Sequence, residues 1–113
     1  MSLHLTNRLV EGVTVIDISG RITLADGSVD LREVLRDLAA KGVRRVLVNM
    51  SDVTYVDSSG IGELASGYTT MTNAGGSMKM YGVTKRVKDL LLITRLYGLF
   101  DVQDSESAAI RSF

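Results

Sequence analysis

Residues 56–62, with the sequence VDSSGIG, place an acid, two hydroxyls and two glycines between an apolar run and a predicted helix. The first N–H groups of a helix lack partners inside the helix, so Asp57 or Ser58 could serve simply as an N-cap. A cap explains one of these side chains. The second serine and the two glycines need another reason, because each glycine weakens a helix by about 1 kcal/mol relative to alanine.

Three kinds of chemistry could use serines at this junction. A serine hydrolase needs a base, but His4 is the only histidine, and the glycine that precedes the nucleophile in a Gly-x-Ser-x-Gly elbow is absent. A Walker-type phosphate loop would end in Gly-Lys-Ser or Gly-Lys-Thr, and the chain has neither. Phosphorylation of Ser58 is the third kind. The helix dipole would tolerate the phosphate, although Asp57 opposes it, and a partner packed on the helix start would be displaced.

The composition narrows the function classes further. The 113 residues fit one domain, residues 1–113, and 13 basic residues balance 13 acidic ones, which disfavours direct nucleic-acid binding. The absence of cysteine and the single histidine give no reason to expect a metal site, and we predict no cofactor. The chain shows no secretory signal and no apolar run near the ~20 residues that span a bilayer. We therefore expect a cytoplasmic protein without membrane insertion.

The spacing of apolar residues predicts strands that alternate with helices. The expected strands are an opening hairpin at 3–10 and 13–19, then 44–50, 78–83 and a short strand at 99–102. The expected helices run from a Ser28 or Asp30 cap to Gly42, from the VDSSGIG junction to about Ala74, onward from a Thr84 cap, and over 105–111. This order predicts an α/β fold with a mixed sheet, mostly parallel, with an N-terminal antiparallel hairpin.

The VDSSGIG junction would lie at the carboxyl end of a sheet strand, where sites gather in such folds. The following helix carries an apolar stripe, with Gly62 and Ser66 among small uncharged residues on its other faces. That surface either lets another protein's backbone approach closely, or is merely solvated or packed on a neighbouring helix.

At this point the residues closely resemble a known family, the STAS domains. The resemblance is carried by VRRVLVNMSDVTYVDSSGIGEL at 43–64, SGRI at 19–22 and VKDLLLITRLYGLFDV at 87–102. The short, stand-alone form is similar to bacterial anti-sigma factor antagonists. This likeness implies helices packed largely on one side of the sheet, no catalytic activity, and partner switching. In that scheme the unphosphorylated antagonist binds an anti-sigma factor, usually a serine kinase of the GHKL type, and frees the sigma factor. The kinase then phosphorylates the antagonist, and a phosphatase resets it.

The resemblance implies that Ser58 is the phosphorylated residue. It implies a partner-binding role for residues of the same junction, the helix that follows and the loop after SGRI, namely Asp57, Ser59, Gly60, Gly62, Ser66, Arg21 and Thr23. Two positions differ from the family pattern, because Thr23 and Asn49 stand where aspartate is often found. Thr23 bears on kinase contact and specificity, whereas Asn49 can keep an uncharged version of the same hydrogen bonds.

Two other functions are consistent with parts of the sequence. A STAS domain can also be an accessory subunit of a membrane lipid transporter or part of a larger signalling complex, and the intact Asp-Ser-Ser-Gly favours the antagonist over this alternative. A small serine hydrolase is the weakest hypothesis. The edge of the first hairpin offers a surface for pairing with a second copy, so a homodimer is a further expectation.

Overall fold

A four-stranded mixed sheet forms the centre of the computed structural model, which describes residues 3–113. The strands lie side by side in chain order: β1 (Leu3–Val10), β2 (Val13–Ile22), β3 (Arg45–Val56) and β4 (Ser77–Tyr81). β1 and β2 form an antiparallel hairpin, whereas the β2–β3 and β3–β4 pairs are parallel. The predicted mixed sheet with an antiparallel N-terminal hairpin is therefore confirmed.

The helices pack largely on one face of this sheet, as expected. They are α1 (Ser28–Ala40), α2 (Ser58–Asn73), α3 (Lys85–Ile93) and α4 (Glu106–Arg111). Apolar side chains of α1, α2 and α3 join one core with alternate residues of the strands, including Ile16, Val48 and Met80. The intervening strand residues point to the other face, where α4 covers a smaller cluster made of Val13, Val15, Leu47, Tyr81 and Ala109.

Several predicted boundaries were wrong. β2 continues to Ile22 instead of ending at residue 19, and β4 ends at Tyr81 instead of residue 83, because Gly82 has a positive φ of 75°. β3 does not stop at residue 50 but continues to Val56, because Val53 and Val56 are buried and β2 keeps pairing alongside through register shifts. Neither Ser28 nor Asp30 caps α1. The N-cap is Gly27, which has a positive φ of 82° and no side-chain hydrogen bond, and Ser28 is buried as the first helical residue.

The segment 99–102 was predicted as a strand and is a turn instead. Phe100 is fully buried as an anchor, and Asp101 has a positive φ of 49°, which is incompatible with a strand. After this turn the chain forms an isolated β-bridge with β4, in which the Gln103 N–H donates to the Met80 carbonyl at 2.9 Å. The short terminal helix and the Thr84 cap of α3 are confirmed.

A polar network crosses the second face of the sheet and holds α4 against it. Arg8 on β1 donates to Asp17 on β2 at 2.7 Å and also pairs with Glu106 at the start of α4. Asn49 donates to Asp17 at 2.8 Å, and the Tyr81 hydroxyl donates to Glu106 at 2.9 Å. The side-chain amide of Asn49 thus donates a hydrogen bond to a carboxylate. An aspartate at position 49 could form this bond only if it were protonated.

The charges of this network shift the pKa values of its members. The hydrogen bond from Arg8 is the main cause that lowers the pKa of Glu106 and of Asp17. Burial and the hydrogen bond to Glu106 raise the pKa of Tyr81 to about 12. Because the folded carboxyl groups titrate below their unfolded values, their contribution to stability is present above about pH 4 and is lost as the pH falls below it.

We predict that Glu106→Gln weakens the acid dependence of stability. The free energy of unfolding of the wild type should fall between about pH 5 and pH 2, and the fall should be shallower in the variant because one lowered carboxyl pKa is removed. Urea unfolding at several pH values measures this. Glu33→Gln is the matched control, since Glu33 is exposed on α1 and is in no ion pair within residues 3–113. Equal acid slopes in the wild type and Glu106→Gln would contradict the prediction.

Candidate functional site

The loop 23–27 and the start of α2 lie side by side at the carboxyl edge of the sheet. They meet because β2 and β3 are parallel neighbours that end in register, with Ile22 opposite Val56. The Asp57 N–H then donates to the Ile22 carbonyl at 3.2 Å, which extends the strand pairing by one bond. Both chain segments therefore leave the sheet at the same place, and the VDSSGIG junction faces the loop.

Asp57 is the N-cap of α2 and also holds the neighbouring loop. One carboxylate oxygen accepts the Gly60 N–H at 2.8 Å, and the other accepts the Leu24 N–H at 3.0 Å. These bonds, led by that of Gly60, lower the pKa of Asp57, so the carboxylate is charged at neutral pH. The choice left open between Asp57 and Ser58 as the cap is thereby decided for Asp57.

The two serines of the junction have different surroundings. Ser58 is the first residue of α2 and is exposed, and its hydroxyl makes no hydrogen bond to any residue within 3–113. Ser59 is half-buried, and its hydroxyl donates to the hydroxyl of Ser28 on α1 at 3.2 Å. Ser59 thus contributes to the contact between α1 and α2, and Ser58 is the serine available to another molecule.

The two glycines also differ. A Cβ on Gly60 would lie 2.3 Å from the Ile22 carbonyl oxygen and 2.7 Å from a methyl of Val56, so the bare backbone is required by the chain's own packing. Gly62 is exposed, and a Cβ there would meet nothing within 4 Å. The close approach expected at Gly60 is therefore intramolecular, whereas no contact within residues 3–113 explains Gly62.

The remaining predicted partner residues lie at or near this edge with different exposure. Thr23 is only 6% exposed, and its hydroxyl accepts the Asp26 N–H at 2.9 Å, so its side chain shapes its own loop rather than a free surface. Arg21 is exposed, with its guanidinium carbon 4.9 Å from the centre of the Tyr55 ring. Ser66 is exposed on α2, eight residues after Ser58.

Two residues of this edge were missed from the sequence. Tyr55 lies beneath Arg21 and also beneath Arg86 of α3, whose guanidinium carbon is 5.9 Å from the ring centre. Tyr55 could have been found if β3 had been extended to Val56, because it then pairs with Arg21 across the sheet. No local pattern in the sequence connects Arg86 with Tyr55, since the two residues are brought together only by the packing of α3 in the folded chain.

Several kinds of chemistry find no support in this arrangement. Within residues 3–113, no cluster of three or more His, Cys, Asp or Glu side chains is placed to hold a metal ion. None of the helices in this range has the length and apolarity needed to cross a membrane. What the site offers is the exposed Ser58 hydroxyl at the first position of α2, beside the charged carboxylate of the Asp57 cap.

We predict that Asp57→Ala destabilises the protein by about 1–2 kcal/mol, because α2 loses its cap and the loop loses its tie at Leu24. Ser58→Ala should change stability by less than about 0.5 kcal/mol, since the hydroxyl is exposed and makes no hydrogen bond within residues 3–113. Thermal and urea unfolding of both variants measures the difference. A larger loss in Ser58→Ala than in Asp57→Ala would show that the serine is the structural residue.

The glycines give a second matched pair. Gly60→Ala should cost about 1–3 kcal/mol, because the new methyl group is forced against the Ile22 carbonyl. Gly62→Ala should raise stability by up to about 1 kcal/mol, because the site is open and alanine favours a helix. The free energies of unfolding of the two variants measure these effects. Equal changes in both would show that the two glycines do not differ in their need for a bare backbone.

Comparison with known proteins is consistent with this fold. The STAS domain model matches residues 4–109 of the chain. The anti-sigma-B factor antagonist of Bacillus subtilis (strain 168) is 27% identical over 111 residues, which cover 98% of this chain and 100% of that protein.

Solved structures show the same architecture. An anti-sigma factor antagonist from Mycobacterium paratuberculosis matches with a TM-score of 0.88 at 19% identity, over 98% of this chain and 93% of that one. SpoIIAA of Bacillus matches at 16% identity and 96% of this chain, with TM-scores of 0.74 in its unphosphorylated form and 0.76 in its phosphorylated form, over 96% and 98% of those chains. A sulfate transporter family protein from Wolinella succinogenes matches with a TM-score of 0.78 at 20% identity, over 93% and 87%. These structural likenesses show the shared fold, and the family match over nearly the whole length shows that the chain belongs to the STAS domain family.

Proposed function

We propose that this chain is an anti-sigma factor antagonist controlled by phosphorylation of Ser58. When Ser58 is unphosphorylated, the chain binds an anti-sigma factor that is a serine kinase of the GHKL type, and the sigma factor is released. The kinase phosphorylates Ser58 and the complex separates, until a phosphatase removes the phosphate. The observation that carries the proposal is the exposed Ser58 hydroxyl at the first position of α2, with capping left entirely to Asp57.

The geometry explains how a phosphate could act without disturbing the fold. Phosphorylation adds nearly two negative charges next to the Asp57 carboxylate, and the dipole of α2 offsets part of the repulsion. The Ser58 hydroxyl has no bond to lose within residues 3–113. A partner packed against the helix start would have to bury the phosphate next to the Asp57 carboxylate, which is strongly unfavourable.

The exposed side of α2 supports a protein partner. Gly62 and Ser66 follow Ser58 at steps of four residues, and all three are exposed. Their small side chains allow the backbone of another protein to come close, and Gly62 has no other explanation in the described chain. Arg21 lies at the neighbouring loop, so it would border the same contact.

The comparisons support the same role. SpoIIAA, described as an anti-sigma factor antagonist, resembles this chain about equally in its two phosphorylation states, with TM-scores of 0.74 and 0.76. That similarity supports a switch in which the fold persists. The anti-sigma-B factor antagonist of Bacillus subtilis aligns over its full length, which favours the role of an antagonist over that of a transporter subunit.

The proposal has consequences for activity and location. Ser58 makes no hydrogen bond to a base within residues 3–113, so we assign the chain a binding role and no catalysis of its own. We place it in the cytoplasm, where sigma factors act. β1 is an edge strand of eight residues with most of its side chains exposed, and we propose it as the surface for a homodimer.

Intact-mass spectrometry with peptide mapping tests the phosphorylation step. After incubation with ATP and each GHKL-type serine kinase of the same organism, the wild type should gain one phosphate on Ser58. Ser59→Ala should still be modified, because Ser59 is half-buried against Ser28, and Ser58→Ala should not be. A phosphate on Ser59, or no modification by any of these kinases, would contradict the proposal.

A further inference from the structure

A shallow groove lies between the end of β3 and helix α3. β3 pairs with β4 only as far as Asn49, so its last residues extend beyond the edge of β4, and α3 packs against this extension. The groove has a volume of about 290 Å³ and is lined by Tyr55, Val56, Arg86, Val87, Asp89, Leu90 and Ile93. We call it the Tyr55 groove.

The rim of the Tyr55 groove exposes a large apolar side chain. Ile93, the last residue of α3, is 78% exposed. The floor is apolar as well, since Val56 and Val87 belong to the main core beneath it. An isoleucine held in water beside an apolar floor favours contact with an apolar group of another molecule.

The groove also carries positive charge that residues 3–113 leave largely uncompensated. Arg86 forms no ion pair with a carboxylate of the described chain, and Asp89, its neighbour in the groove, is already paired with Lys85 at 3.1 Å. Arg21, on the same tyrosine ring, has its closest carboxylate contact at 3.9 Å, to Asp26. Two guanidinium groups therefore border one aromatic ring and can accept an incoming acid.

We propose that the Tyr55 groove is a second contact for the anti-sigma factor, which inserts a large apolar side chain flanked by a carboxylate. The apolar side chain packs on Ile93, Leu90 and Val56, and the carboxylate pairs with Arg86, while Arg21 adds a second positive charge beside the same tyrosine ring. Continuity with the Ser58 surface favours this occupant, because Arg21, which borders that surface, also lies over the Tyr55 ring of the groove. The inference rests on the proposed function and adds the chemistry by which the partner is recognised.

The two contacts have different dependence on phosphorylation. Ser58 and the start of α2 respond to the phosphate, whereas the Tyr55 groove is the same in either state. The groove thus provides affinity and partner choice, and Ser58 provides the switch. Its arginines would also attract an acidic partner at a distance, which raises the association rate at low salt.

Binding measurements with matched exposed residues test this inference. Biolayer interferometry would compare the wild type, Ile93→Ser and Leu99→Ser for binding to the purified kinase that phosphorylates Ser58. Leu99 is the control because it is an exposed apolar residue, at 42%, that does not line the groove. Ile93→Ser should weaken binding by about tenfold or more, and Leu99→Ser should leave it unchanged.

Arg86→Gln tests the charge separately, with Arg111→Gln on α4 as its control. Arg86→Gln should slow association and flatten its salt dependence, and Arg111→Gln should do neither. This second readout also decides the matter if Ile93→Ser fails to fold, which a thermal melt would reveal.

If Ile93→Ser and Arg86→Gln both bind the kinase with wild-type affinity, and Ser58 still controls binding, the groove proposal is overturned and the proposed function stands. An equal loss of affinity in Leu99→Ser would overturn the groove proposal as well. A wild-type chain that binds no such kinase would overturn the proposed function and this inference together.

Discussion

The rest of the site depends on the two hydrogen bonds that the carboxylate of Asp57 accepts. Its two oxygens bind the Gly60 N–H inside α2 and the Leu24 N–H in the loop after β2, so one side chain caps a helix and ties a loop to it. Both partners are backbone groups that would otherwise lack a bond at the edge of the sheet. The geometry of the helix start is thereby set without any help from Ser58.

This arrangement separates the residues that build the site from those that can act on a partner. Gly60 and Ser59 serve internal contacts, with the Ile22 carbonyl and the Ser28 hydroxyl respectively. Ser58 and Gly62 are left exposed and make no contact that the fold needs. A chemical change at Ser58 can therefore alter the surface while the sheet, the helices and the polar network around Arg8 remain in place.

Much of this fold could be predicted from local patterns in the sequence. The hairpin, the position of the VDSSGIG junction and the Thr84 cap follow from alternation, helical spacing and capping preferences, all of which act within a few residues. The missed features depend on contacts between distant residues. Arg8 and Glu106 are 98 positions apart. Position 60 has no room for a side chain because the Ile22 carbonyl lies against it. Arg86 reaches Tyr55 only because helix α3 packs beside the end of β3. Residues 99–102 form a turn because Phe100 is anchored in the core.

Isothermal titration calorimetry of the chain in its two phosphorylation states, against the same anti-sigma factor, tests the central claim most directly. The unphosphorylated chain should bind, and the chain phosphorylated on Ser58 should bind at least about 100-fold more weakly, since a phosphate buried next to the Asp57 carboxylate is costly. Circular dichroism of the two forms should show the same fold. Equal affinities, or a phosphorylated chain that has unfolded, would contradict a surface switch at Ser58.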